Sequence, residues 1–237
     1  MGFATVAGGS RATAPSAGIL ASDIAVGSMV KLMESGSAVD YRVVHQGLPG
    51  SLYDASCNGC WLLRKDLLGA RAWDTSYTNS YKSSAIHTWL NGDYFNSLGS
   101  VEQAVIKQVK IPYVNGTGNN GSVASGGNGL LTKIFLLSKL ETGLPTSSST
   151  PDDGVTLSYF NGTAERDSKR IAYINGVARS WWNRSPSTRD SATVWLVDET
   201  GIDGGLYAYN TECILPALIL PSNAKFDADT MLLKGVA

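Results

Sequence analysis

Val177-Ala178-Arg179-Ser180-Trp181-Trp182-Asn183-Arg184, Thr193-Val194-Trp195-Leu196-Val197-Asp198, Gly204-Gly205-Leu206-Tyr207-Ala208-Tyr209-Asn210 and Cys213-Ile214-Leu215-Pro216-Ala217-Leu218-Ile219-Leu220 follow one another in the last third of the chain. Each run is short, rich in β-branched, aromatic or Leu side chains, and bounded by Gly, Pro, Asn or Asp. That punctuation predicts four short strands joined by turns, an antiparallel sheet. A purely structural reading would make Trp181, Trp195 and Tyr207 core residues between sheet and helices, and the two tryptophans are expected there.

Working outward, residues 130–138 hold Leu130, Leu131, Ile134, Phe135, Leu136 and Leu137, which reads as one buried strand. Residues 139–143 read as a helical turn and 146–153 as a polar loop. Near the start, Val30-Lys31-Leu32-Met33, the turn Ser35-Gly36 and residues 39–45 form a hairpin pattern. Cys60-Trp61-Leu62-Leu63-Arg64 is a further buried strand. Between these lie the helices. Ile86, Trp89, Leu90, Tyr94 and Leu98 recur at helical spacing over 80–98, with Ser83 or Ser84 as cap and Asn91-Gly92 as an expected break. Residues 101–108 read as a second short helix with Val101, Ala104 and Val105 on one face, ended by Pro112. Two short helices between strands at both ends make an α+β, loop-rich domain with its termini side by side. Residues 1–22 read as an extended arm and 23–237 as a single domain.

Gly (26), Ser (27), Thr (17) and Asn (13) together supply 83 of the 237 residues, which favours turns and strands over long helices. Seven asparagines, at 58, 91, 115, 120, 128, 161 and 175, precede glycine, a strong two-residue turn signal. The turn reading also accounts for the sequons that open at Asn115, Asn120 and Asn161. Charges nearly cancel: 19 Lys+Arg against 20 Asp+Glu give −1. No general field draws the chain to nucleic acid, and no apolar run of about 18 residues points to membrane insertion. Cys57, Cys60 and Cys213 are an odd set. Cys57-Asn58-Gly59-Cys60 has zinc-knuckle spacing without a second pair, so zinc, a local disulfide and free buried thiols all remain open.

Five motifs in order carry a resemblance: Trp61-Leu62-Leu63-Arg64, Ser83-Ser84-Ala85-Ile86-His87-Thr88-Trp89-Leu90-Asn91, Lys133-Ile134-Phe135-Leu136-Leu137-Ser138, Trp181-Trp182-Asn183-Arg184-Ser185-Pro186 and Leu215-Pro216-Ala217-Leu218. Over about 23–221 the chain resembles an uncharacterised C-type-lectin-like domain family of phage tail and bacterial surface proteins, related to the formylglycine-generating-enzyme fold. The resemblance implies a C-type-lectin-like fold with two short helices, twisted antiparallel sheets and a loop-rich face. It implies a virion protein of tail, fibre or head-fibre that binds a host receptor non-covalently; no enzyme activity and no cofactor are expected, because the related enzymes need a cysteine pair near the C-terminus and only Cys213 lies there. Its partners would be other virion subunits, through the arm, and a bacterial surface glycan or protein, with homo-oligomerisation raising affinity. A purely structural decoration or baseplate component is the alternative. Two departures stand out: Asn183 where the family has Leu, and Leu215 where it has Arg.

Calcium-dependent sugar binding needs clustered carboxylates, and Arg184 stands where an acid is expected after Trp182-Asn183. His45 and His87 sit in strand and helix patterns as packing or capping residues. No G-x-S-x-G or phosphate-loop motif occurs. Recognition is therefore assigned to the segment rich in Asn, Arg, Asp, Tyr and Trp that ends the domain. The expected receptor-binding residues are Asn183, Arg189, Asp190, Asp203, Tyr207, Tyr209 and Asn210, since Tyr offers rigid contact area and Asn adaptable hydrogen bonds.

Overall fold

The computed structural model describes residues 18–116 and 122–237. Two five-stranded sheets organise them. In the first, the strands run in the order Ile134–Leu136, Pro216–Leu220, Gly59–Arg64, Ser37–Gly47, Met29–Glu34, all antiparallel. Pro216–Leu220 is buried at every position, as its unbroken apolar run requires. Met29–Glu34, at the edge, alternates half-buried and buried residues. The expected hairpin is present. Ser35 (φ 47°) and Gly36 (φ 81°) make its two-residue turn, whose positive dihedrals match strand twist.

The second sheet runs Asp203–Tyr207, Thr193–Val197, Trp181–Pro186, Thr211–Ile214, Leu68–Ala72. Two of the four expected C-terminal strands are each split in two. Val177–Arg179 leaves the sheet and pairs with Ala172–Ile174 across Asn175-Gly176, both at positive φ (52° and 77°). The run 213–220 changes sheet at Leu215: Thr211–Ile214 lies in the second sheet and Pro216–Leu220 in the first. Pro216, lacking an N–H, can only open a strand at such a corner. Thr211–Ile214 also touches Trp181–Pro186 in parallel, through Trp181 and Cys213, so this sheet is not wholly antiparallel.

The buried run 130–138 is likewise two strands, Leu130–Thr132 and Ile134–Leu136. Asn91 divides them. Its Oδ1 accepts from Lys133 N (2.9 Å) and Ile134 N (3.1 Å), and its Nδ2 donates to His87 O (3.1 Å) and Ile134 O (2.9 Å). Asn91-Gly92 therefore does not break the helix. The chain passes from an α-helix, Ala85–Trp89, through a π turn, Leu90–Tyr94, into a last α turn, Phe95–Ser97. Ser84 caps its start on His87 N at 3.2 Å. The second helix is Ser100–Val105, shorter than expected, and its inner face differs. Val101 is 38% exposed, whereas Glu102 is buried because its Oε1 accepts from Met33 N at 2.9 Å.

Ile19–Leu20 pairs with Ala224–Phe226, which pairs with Leu233–Val236. The two ends of the fold are thus adjacent, as expected. Residues 18–22, assigned to the arm from sequence, belong to the domain: Ala21 is fully buried. The rest of that arm, 1–17, and the sequon at Asn120 lie outside the described residues.

Four buried tryptophans anchor the core, and each indole N–H finds a carbonyl at 3.0 Å: Trp61 on Cys57, Trp73 on Asn183, Trp181 on Arg170, Trp182 on Arg71. These bonds tie loops to both sheets at low desolvation cost. Cys57, Cys60 and Cys213 are free and buried. Burial pushes the Cys57 and Cys60 thiols up to about 12.

Candidate functional site

The edge strand Asp203–Tyr207 ends in a turn closed by Asn210 N on Tyr207 O at 2.9 Å. Ala208 points inward and is fully buried, and its N–H donates to Ala192 O at 2.8 Å. Its neighbours Tyr207 and Tyr209 consequently stand outward, 48% and 38% exposed. A third ring, Tyr77, arrives from the loop between the strand Leu68–Ala72 and the helix. It is 66% exposed.

The Tyr77 loop is held at both ends. Asp74 N donates to Ala208 O (2.9 Å). The Asp74 carboxylate accepts from Ser76 N (2.9 Å), Ser76 Oγ (2.6 Å) and Ala85 N (2.9 Å). At the other end Asn79 donates through Nδ2 to the carbonyls of Ser187 (3.2 Å), Asp190 (3.0 Å) and Thr193 (2.9 Å). The rings therefore meet on a stiff frame. Centroids lie 4.6 Å apart for Tyr77–Tyr209, 5.5 Å for Tyr207–Tyr209 and 5.9 Å for Tyr77–Tyr207. Tyr77 Oη donates to Tyr209 Oη at 3.2 Å. That hydrogen bond, then partial burial and the neighbouring phenols, raises the Tyr209 phenol above its ordinary value. Four Tyr, Phe or Trp side chains are strongly exposed among the described residues, and three of them are gathered here. Chance scatter of surface aromatics gives no such cluster.

Of the seven residues expected to bind, the structure brings together Tyr207 and Tyr209, with Asn210 half-buried in their turn. The other four stand elsewhere in their roles. Asn183 is fully buried in the middle of the second sheet and is withdrawn from any surface contact. Arg189 is exposed, and its guanidinium bonds Ser148 Oγ. Asp190 works inside its own turn, accepting from Ala192 N (2.8 Å) and Thr193 N (2.5 Å). Burial alone would lift its carboxyl, but these N–H groups hold it below the ordinary range. Asp203 pairs with the buried Lys139 ammonium at 2.7 Å. Tyr207 is exposed, which excludes the alternative reading of it as a core residue. Trp181 is buried as expected, and Trp195 is half-buried, its ring 3.5 Å below the Lys139 ammonium. Tyr77 escaped the sequence reading: a lone Tyr in the polar stretch Thr75-Ser76-Tyr77-Thr78-Asn79 has no local mark of a partner.

Beneath the sheet lies a second polar cluster, closed on itself. Arg184, fully buried, makes a two-pronged ion pair with Glu141 at 2.5 and 2.7 Å. It also donates to the carbonyls of Pro112 (3.0 Å), Leu136 (3.0 Å) and Asp153 (2.8 Å). Burial opposes its charge, but Glu141 more than offsets that and raises the guanidinium further. Tyr53 Oη donates to Glu141 Oε1 at 2.7 Å, and Ser185 Oγ to Asp153 Oδ1 at 2.8 Å. Burial lifts the Asp153 carboxyl to about 7. Through Asp153, Arg184 and Ser185 tie loop 144–157 to the second sheet. Among the described residues no group of three His, Cys, Asp or Glu side chains converges as a metal site.

Residues 58–222 match the family model described as Domain of unknown function (DUF6273). The chain belongs to that family. The DUF6273 region contains Tyr77, Tyr207 and Tyr209 and the whole second sheet, while the hairpin at 29–47 and the paired ends lie outside it. No curated protein and no solved structure gives a significant match to the chain.

Proposed function

We propose that this chain is a virion recognition protein, a C-type-lectin-like domain of a phage tail, fibre or head-fibre. In this reading it binds a bacterial surface glycan or protein non-covalently through Tyr77, Tyr207 and Tyr209. The tyrosine cluster carries the reading. Three adjacent phenol rings, held by backbone bonds at both ends of the Tyr77 loop, offer apolar faces and hydroxyl donors with little ordering cost on binding. The five ordered motifs support the fold assignment, as do the paired ends of the domain and the two short helices. Multiple copies on a particle would multiply a modest single-site affinity. No bond is made or broken in the ligand.

The test uses the purified protein, bacterial cells and arrays of bacterial surface glycans. Tyr77→Ala and Tyr209→Ala are each expected to weaken binding by about tenfold or more, as for aromatic anchors at interface centres. Unchanged binding by both variants, at unchanged Tm, sinks the site. A map of the assembled particle adds a second check: a tyrosine cluster buried between subunits makes the chain architectural instead.

A further inference from the structure

A small cavity lies between the two sheets, where the hairpin, the Ser168–Arg170 turn and Leu215 meet. Its volume is about 70 Å³, room for one tetrahedral oxyanion or a couple of waters. Arg42, Arg64, Lys65, Lys169, Arg170 and Tyr159 line it, and no Asp or Glu does. Five cations around one small void are conspicuous in a chain with a net charge of −1.

Two of the cations are partly neutralised. Arg64 pairs with Glu34 at 3.1 Å. Lys65 is 3.8 Å from Asp40, which Lys31 already holds at 2.6 Å. Arg42, Lys169 and Arg170 form no ion pair with any carboxylate among the described residues. Arg170 is 1% exposed, and its five N–H groups go to neutral oxygens: Gly201 O (2.7 Å), Thr142 O (3.4 Å), Thr163 Oγ1 (2.8 Å), Ala164 O (2.5 Å) and Glu165 O (2.6 Å). It therefore contributes field and no free donor. Arg42 donates once, to Gly27 O at 3.0 Å, and keeps its remaining N–H groups. Tyr159 holds both open cations by its ring, Arg42 at 4.9 Å and Lys169 at 5.5 Å.

We propose that this cavity is an anion site that takes a phosphate or sulfate group, with Arg42 and Lys169 as direct donors and Arg64, Lys65 and Arg170 as the surrounding field. Asp167 and Asp203 act on Arg170 from beyond ion-pair distance and none of the carboxylates lines the cavity, so the void itself is cationic, and charge-assisted bonds to an oxyanion are the strong kind. The site is separate from the tyrosine cluster. Trp181 lines the cavity and faces Val197, whereas Tyr207 faces Thr193, four residues along the strand or roughly 13 Å.

The experiment titrates inorganic phosphate and sulfate into the protein by calorimetry, against chloride at matched ionic strength. Saturable binding is expected for both oxyanions. Lys169→Gln removes an exposed side chain without touching the core, and is expected to weaken phosphate about tenfold, the worth of one charge-assisted bond. Arg42→Gln is expected to weaken it further, and Tyr77→Ala to leave it unchanged. A glycerol-phosphate oligomer separates two sources of the same group: tighter binding per phosphate than the free ion marks a polymer ligand, and equal binding marks the free ion. Should Arg42→Gln fail to fold, Lys169→Gln carries the test. Phosphate that acts no differently from chloride, or Lys169→Gln binding as tightly as the parent, overturns the proposal.

Discussion

Replacing Asn183 by Leu should make the protein more stable. The side chain is fully buried in the central strand of the second sheet, and neither Oδ1 nor Nδ2 meets a hydrogen-bond partner in the protein. Leaving a buried amide unpaired costs about 1–3 kcal/mol. Leu has nearly the same branching but no polar atoms, and fully burying it contributes roughly 1.5–3 kcal/mol. Leu is also bulkier, and overpacking takes back about 1–3 kcal/mol. The balance is a gain of about 2 kcal/mol, a rise in Tm of roughly 4–8 °C for a domain of this size. Calorimetry and urea unfolding with an unchanged m value would measure it. Asn183→Val, smaller than Leu and suited to a strand, controls for overpacking. If neither variant is more stable than the parent, the amide is satisfied in solution and the argument fails. The backbone of Asn183 needs no repair, since its carbonyl accepts from Trp73 Nε1 at 3.0 Å.

Other outcomes follow from the same side-chain accounting. Glu141→Gln should destabilise by about 3–5 kcal/mol, because Arg184 is then a buried charge without its ion partner. Arg184→Met with Glu141→Gln together should recover part of that loss, which urea unfolding can read. Asp153 is protonated in the fold up to about 7 but ionises near 4 when unfolded, so the native state holds more protons in between. Its contribution is greatest below the unfolded value and falls as pH rises through the folded one. The stability of Asp153→Asn relative to the parent should therefore grow between about pH 4 and 7, on the order of a few kcal/mol, and then level off. A flat difference across that range contradicts the assignment. All three thiols should resist a thiol reagent in the native protein and react only on unfolding, since each is buried. Gly59→Ala should destabilise strongly, because a Cβ there would sit 2.3 Å from Leu220 O in the adjoining strand.

The hairpin at 29–47 was legible in sequence because its alternation faces one core and its turn is local. Buried runs were legible as strands, but not where they end. Lys133 ends one strand because a helix side chain, Asn91, occupies its N–H. The same Asn91 read as a turn residue, since local spacing cannot register a bond to a strand more than forty positions away. The helix at Ser100–Val105 buries a glutamate because a distant backbone N–H, on Met33, needs an acceptor. At the candidate site the two tyrosines on one turn were found through composition, and the third was not. Tyr77 owes its position to the Asp74 N–H and the Asn79 amide, which bond carbonyls more than a hundred residues further on. Asn183 was misplaced for the converse reason: a polar letter suggests surface, and only the sheet around it reveals that water is excluded.

The corner at Leu215 has a consequence for how the molecule comes apart. One continuous stretch, 211–220, is stitched by backbone bonds into both sheets, with Leu68–Ala72 on one side of the corner and Gly59–Arg64 on the other. Those two partners are themselves separated by only three residues of chain. Two adjoining segments thus run side by side across both layers, like a double seam. The layers are coupled through this seam, because both of its strands turn the same corner and opening one layer pulls on the pairing in the other. Slow-exchanging amides in Trp181–Pro186 and in Pro216–Leu220 should accordingly exchange with one shared opening free energy, equal to that of global unfolding.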